Sequence, residues 1–249
     1  MDDAPRLRPD GFRERGSDVT RIEAFVDAAF AFALTMLVIS VGTIPDTIPK
    51  LVDALKGTPA FAASFAQVAV FWYAHMTWSR RYGLDDRASI VLSLVLVFLV
   101  LVFLVMVYIY PLKYMFASFF GWITNGWLPM VSLHMTMDDL RTMFVIYGVV
   151  FATMVSVIGL LYLQAWRQRD ALELSLDERV KTVEQIATGW VSAGIATLSI
   201  LVACILPEQT PKWLAGLPGM MYALMSLNGP IPAWAGRRAR ARMLAAGIA

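Results

Sequence analysis

Two ionisable residues stand where an apolar chain makes them expensive. Asp27 follows Arg21 and Glu23 within seven residues, and no charge comes after it until Asp46. His75 lies in Phe71-Trp72-Tyr73-Ala74-His75, five residues before Arg80-Arg81. A carboxylate inside hydrocarbon needs a partner or a purpose. At about 1.5 Å per helical residue, Asp27 counted from Arg21 and His75 counted from Arg80 both fall about 8 to 9 Å from the same membrane face. They can meet. Such a pair has two readings: a proton-sensitive or gating pair, or a packing pair completed by the indole of Trp72 or Trp78 that locks two helices together. Intramembrane catalysis would need a second acid, a Ser-His arrangement or a metal cluster at that depth, and the apolar segments offer none. No enzyme, metal centre or cofactor is expected. His134 has no partner implied by spacing and is read as a surface residue.

The elements that must carry these residues follow from composition. The 249 residues are 58% hydrophobic and 16% charged, with a mean hydropathy of +0.62, which marks an all-α integral membrane protein rather than a soluble domain. A net charge of +2 argues against a nucleic-acid partner, and one cysteine, Cys204, excludes a disulfide framework or a zinc site. Residues 1–20 hold prolines, glycines and arginines without periodicity or an apolar core. They read as a disordered basic cytoplasmic tail, not a cleavable signal peptide.

Stretches of about 20 apolar residues, the length that crosses about 30 Å of hydrocarbon, divide residues 21–236 into six spans. Their expected limits are 22–42, 59–80, 88–110, 142–166, 185–206 and 211–234, with residues 237–249 as a second basic tail. The sixth span is irregular in prospect, because Pro218, Gly229, Pro230 and Pro232 interrupt it. Of the 21 lysines and arginines, sixteen fall in segments on one side and five on the other. By the positive-inside rule both termini are cytoplasmic, in a multi-pass protein of the plasma membrane. The aromatic-rich segment 112–141 reads as an interfacial helix or a cap, and Ser175 with Glu178 has capping-box spacing. The arginine-rich tails can touch anionic lipid of the bilayer.

On a helical wheel at 100° per residue, Phe32, Met36 and Ile39 lie about 140°, 180° and 120° from Asp27, and Thr35 about 80°. The apolar stripe faces away from Asp27, toward lipid or toward an axis shared with copies of the chain.

The stretch Arg21-Ile-Glu-Ala-Phe25-Val26-Asp27 and the apolar run after it resemble the first-helix signature of bacterial members of the transmembrane-protein-175 family of potassium channels, an Arg followed after three residues by Phe-Ser-Asp. Trp72 and His75 resemble that family's Trp and His on the second helix. The resemblance covers Arg21 to Pro111. It implies a homotetramer of six-helix subunits whose first helix lines a potassium-permeable pore. Phe32, Met36 and Ile39 would then form the hydrophobic constriction, Thr35 the polar position tied to selectivity, and Arg21, Phe25, Asp27, Trp72 and His75 a gating and packing network behind the pore. Val26 replaces the family's Ser, and Phe32 replaces a smaller aliphatic. A non-conducting scaffold or transporter-like protein on the same subunit fold is the alternative.

Overall fold

The computed structural model describes residues 7–15, 18–39, 45–101, 109–128, 136–210 and 214–247, with the backbone alone over 109–115. The expected end of the first span beyond residue 39, residues 102–108 of the third, Pro211 and His134 lie outside the described residues. The chain runs through α1 (Arg21–Ile39), α2 (Ile48–Lys56), α3 (Thr58–Tyr82), α4 (Arg87–Leu99), α5 (Ile109–Ile123), α6 (Met137–Arg167), α7 (Leu176–Ile205) and α8 (Leu217–Met220). A 3-10 helix, Met221–Asn228, and α9 (Pro230–Ala245) follow. Among the described residues the extended backbone amounts to one bridge, Leu7 with Arg13.

Helices α1, α6 and α7 are each long and apolar enough to cross a bilayer. At about 1.5 Å per residue, α6 and α7 reach about 45 Å, so both project beyond the hydrocarbon. Local chemistry sets their ends. Thr136 with Asp139 and Ser175 with Glu178 form the capping boxes that start α6 and α7. Arg141 closes the far end of α7 by donating to the carbonyls of Ala203 and Leu206, at 3.3 and 2.8 Å. Gly83 ends α3 in a left-handed conformation (φ 56°) that a side chain would resist. In lipid, close packing rather than water exclusion holds helices together. A Cβ on Gly189 of α7 would stand 3.1 Å from the Gly159 Cα of α6, and that intimacy makes this pair the spine of the bundle. Against it, α1, α3 and α4 bury Val26, Phe30, Val68, Phe71, Leu96 and Val97.

The sixth apolar segment is broken, as its prolines foretell. It passes from α8 through the 3-10 turns into α9, which carries on to Ala245 along α7. The stretch 237–249, expected as a tail, is therefore helical up to Ala245.

A second expectation is corrected at the N-terminus, where part of the supposed disordered tail is a packed hook. Residues 8–12 close a turn, with Arg8 N–H on Phe12 O at 2.8 Å and Gly11 at φ 80°. The hook drives Phe12, 0% exposed, against Tyr82 with ring centres 5.7 Å apart and the Arg81 guanidinium 4.6 Å above the ring. Arg15 forms a fork with buried Glu178 at 2.8 and 3.0 Å, and Arg13 N–H donates to the same carboxylate at 2.8 Å. Sequence periodicity is blind to such a motif, because one aromatic in a proline- and arginine-rich stretch has no period.

Arg81 also donates to Asp10 at 3.0 Å. Burial pushes the Asp10 carboxyl up, but the bond from Arg81, the Phe12 N–H and the charges of Arg81 and Arg8 together hold it below the usual carboxylate value. A depressed folded-state pKa means that this contribution is complete above the ordinary Asp value and is lost as pH falls through the depressed one. The hook should hold from neutrality down to about pH 4 and loosen below it. Amide hydrogen exchange of residues 8–13, corrected for its intrinsic pH dependence, should show protection falling only in that acid range; an equal loss between pH 7 and 5 would contradict the assignment.

Candidate functional site

Every fourth or third residue of α1 decides its orientation. Val26, Ala29, Phe30, Ala33 and Leu37 are buried and hold the helix to α3 and α4. On the wheel they occupy about 200° to 300° from Asp27. The exposed residues fill the complementary arc, about 0° to 160°, with Thr35 in its middle at about 80°. Phe32 and Ile39 flank Thr35 and are 53% and 61% exposed. Phe25 is exposed on the same side, while Met36 is half-buried at its margin.

Asp27 is placed differently from the sequence expectation. It lies at the border of the exposed arc, and the face that anchors the helix is the apolar one. The Asp27–His75 pair does not form. Trp72 Nε1 donates to Asp27 Oδ1 at 2.8 Å, while the buried His75 turns to α4, where its Nε2 lies 3.0 Å from the Ser93 hydroxyl. Depth along the chain places Asp27 and His75 at one level, but azimuth around α3 sends Trp72 and His75 to different neighbours. Trp72 and His75 are three residues apart, so their side chains diverge by about 60°. Ser93 is the residue that the sequence reading passed over. Its signal is the Ser89 and Ser93 spacing, a polar pair one turn apart on an apolar helix, both buried.

Asp27, Trp72 and His75 line one cavity of about 340 Å³, whose wall also includes the hook residues Arg8 and Pro9. Arg21 is exposed and has no hydrogen bond or ion pair from its side chain among the described residues. Within one subunit, then, Asp27–Trp72 and His75–Ser93 are two separate bonds, and Arg21 and Phe25 join neither.

Thr35 has its own local chemistry. Its hydroxyl donates to Ala31 O at 2.8 Å. The proton is thus directed into the helix, and the oxygen lone pairs are left on the exposed side, where they can accept from water or face a cation. No group of His, Cys, Asp and Glu among the described residues could hold a metal ion.

Known proteins resemble this chain in sequence and in fold. The family model for the endosomal/lysosomal potassium channel TMEM175 matches residues 21–105. A potassium channel of Marivirga tractuosa is 32% identical over 219 residues, 86% of this chain and 85% of that protein. The crystal structure of the potassium channel MtTMEM175, as a threonine-to-alanine variant bound to a nanobody fusion, matches with a TM-score of 0.75 and 30% identity, covering 93% of this chain and 97% of that one. A TMEM175 homologue from Chamaesiphon minutus shares the fold at a TM-score of 0.52 and 20% identity, over 85% and 96% of the two chains.

Proposed function

Since the chain belongs to the TMEM175 family of potassium channels, we propose that it is the subunit of a potassium-permeable channel whose pore is lined by α1. The observation that carries this reading is the exposed arc of α1, an apolar strip with Thr35 at its centre on a helix otherwise fixed by packing. Around a shared axis, Thr35 supplies a ring of oxygens, and Phe32 and Ile39 supply apolar rings that pass ions by wetting and drying. Met36, at the margin, completes the constriction from the side.

The finer features belong to the same proposal. Four copies close the pore as a homotetramer, as the family resemblance implies, with the closed symmetry that a four-sided channel needs. Each subunit crosses the plasma membrane six times, the sixth through the broken segment that ends in α9. The arginines gathered at one end of the bundle, among them Arg15, Arg81, Arg179 and Arg240, support a cytoplasmic position for both termini. Arg21 and Phe25, unpartnered in one subunit, engage the neighbouring copy, and potassium is the permeant rather than a resident cofactor. The non-conducting scaffold has no observation in its favour.

Potassium flux into liposomes carrying purified protein tests the reading, with mass determination in mild detergent alongside. We expect a tetramer and flux above empty liposomes. A monomer or dimer, with no flux gained on opening the constriction by Ile39→Asn, would overturn it.

A further inference from the structure

We propose that the groove between the arginine-rich ends of α4 and α6 binds one anionic phospholipid, its phosphate between Arg87 and Arg167 and an acyl chain along Val91, Leu92, Leu160 and Leu163. The groove is open, holds about 620 Å³ and is walled mainly by these aliphatic side chains. Arg87 begins α4 and Arg167 ends α6. The two helices run in opposite directions, so both arginines stand at the same mouth. From Arg167 the wall climbs through Leu163 to Leu160, about 10 Å deeper. A charged head and an apolar tail are arranged in the order in which a phospholipid presents them.

The electrostatics of the mouth select the sign of the ligand. Asp86, the acid beside the groove, is already committed: it accepts from Ala88 N–H at 3.0 Å, from the Ser89 hydroxyl at 2.6 Å and from Gln164 Nε2 at 3.0 Å. These bonds outweigh its burial and hold its carboxyl below the usual range, so it stays ionised and serves as the cap of α4. It forms no ion pair with either arginine. Among the described residues, neither Arg87 nor Arg167 has a hydrogen bond or ion pair from its side chain, whereas Arg169 and Arg179 nearby both pair with Asp170. Two unpaired guanidiniums over an apolar wall fit a phosphodiester, which takes bidentate hydrogen bonds from each. A zwitterionic headgroup would bring its own cation to the same place. The site rests on the membrane reading of the fold and, for its leaflet, on the orientation proposed above, which makes it a site for inner-leaflet lipid.

Native mass spectrometry of the detergent-solubilised protein, titrated with phosphatidylglycerol or phosphatidylcholine, tests this without any measurement of flux. The wild type should retain phosphatidylglycerol in preference. The double variant Arg87→Gln/Arg167→Gln should lose about tenfold in that affinity, as expected for charge-assisted bonds to one phosphate. The control Arg237→Gln/Arg238→Gln, which removes equal charge from α9, should retain it, and Leu163→Trp, which fills the apolar wall, should weaken it. Unchanged phosphatidylglycerol retention in the Arg87/Arg167 variant, or equal retention of phosphatidylcholine by the wild type, would overturn the proposal.

Discussion

Potassium flux through Phe32→Ala should exceed that of the wild type by about tenfold or more, the effect of removing only about 1.4 kcal/mol from a permeation barrier. Phe32 is half-exposed and contributes nothing to the buried face of α1, so its ring is dispensable to the subunit. Around the proposed four-fold axis the same substitution would remove four phenyl groups from one level of the proposed pore. The widened level holds more water, and an ion crosses it with more of its hydration shell. Liposome flux, with tetramer content checked in the same preparation, measures the effect. Unchanged flux with intact tetramers would move the constriction away from Phe32, and loss of the tetramer would make the ring an intersubunit contact.

Glu178→Ala should cost about 3 to 5 kcal/mol of stability, the range for breaking one side of a buried ion pair. Glu178 is 1% exposed and accepts from the two terminal guanidinium nitrogens of Arg15, from Arg13 N–H and from Ser175 N–H. Its removal leaves the half-buried Arg15 guanidinium with only the carbonyls of Leu172 and Arg81, leaves two backbone donors without an acceptor, and releases the hook that holds Phe12 against Tyr82. Glu178→Gln keeps an acceptor for Arg13 and should fall between. Thermal unfolding in detergent, followed by the folded fraction on size exclusion, reads the difference. A cost below about 1 kcal/mol, the worth of an exposed pair, would make the hook peripheral to stability.

Long-range order was legible where a period existed. The apolar lengths of α1, α6 and α7, the capping box at Ser175 and Glu178 and the break near Gly229 all follow from residue spacing. The first-helix signature carried the family. What spacing cannot supply is the direction in which a side chain leaves its helix once neighbours are chosen. That is why Asp27 and His75, at one depth, bond to Trp72 and Ser93 instead of to each other. It is also why Thr35 sits at the middle of the exposed arc and Met36 at its edge, since the arc is defined by what α3 and α4 cover. The hook was hidden for a different reason: Glu178 reads locally as a helix cap, and its second duty is to residues 163 and 165 positions away.

That separation sets a timetable for the newborn chain. Arg13 waits for a partner made 165 residues later, which at about 5 to 20 residues per second is roughly 10 to 30 s of synthesis. Early in that interval Tyr82 and Arg81 of α3 become available to Phe12 and Asp10, but the carboxylate shared by Arg13 and Arg15 is still missing while α1 to α6 emerge from the ribosome. Closure of the hook is completed only with the start of α7, so the segment leading into the helix proposed to line the pore receives its last bonds after most of the subunit has been inserted.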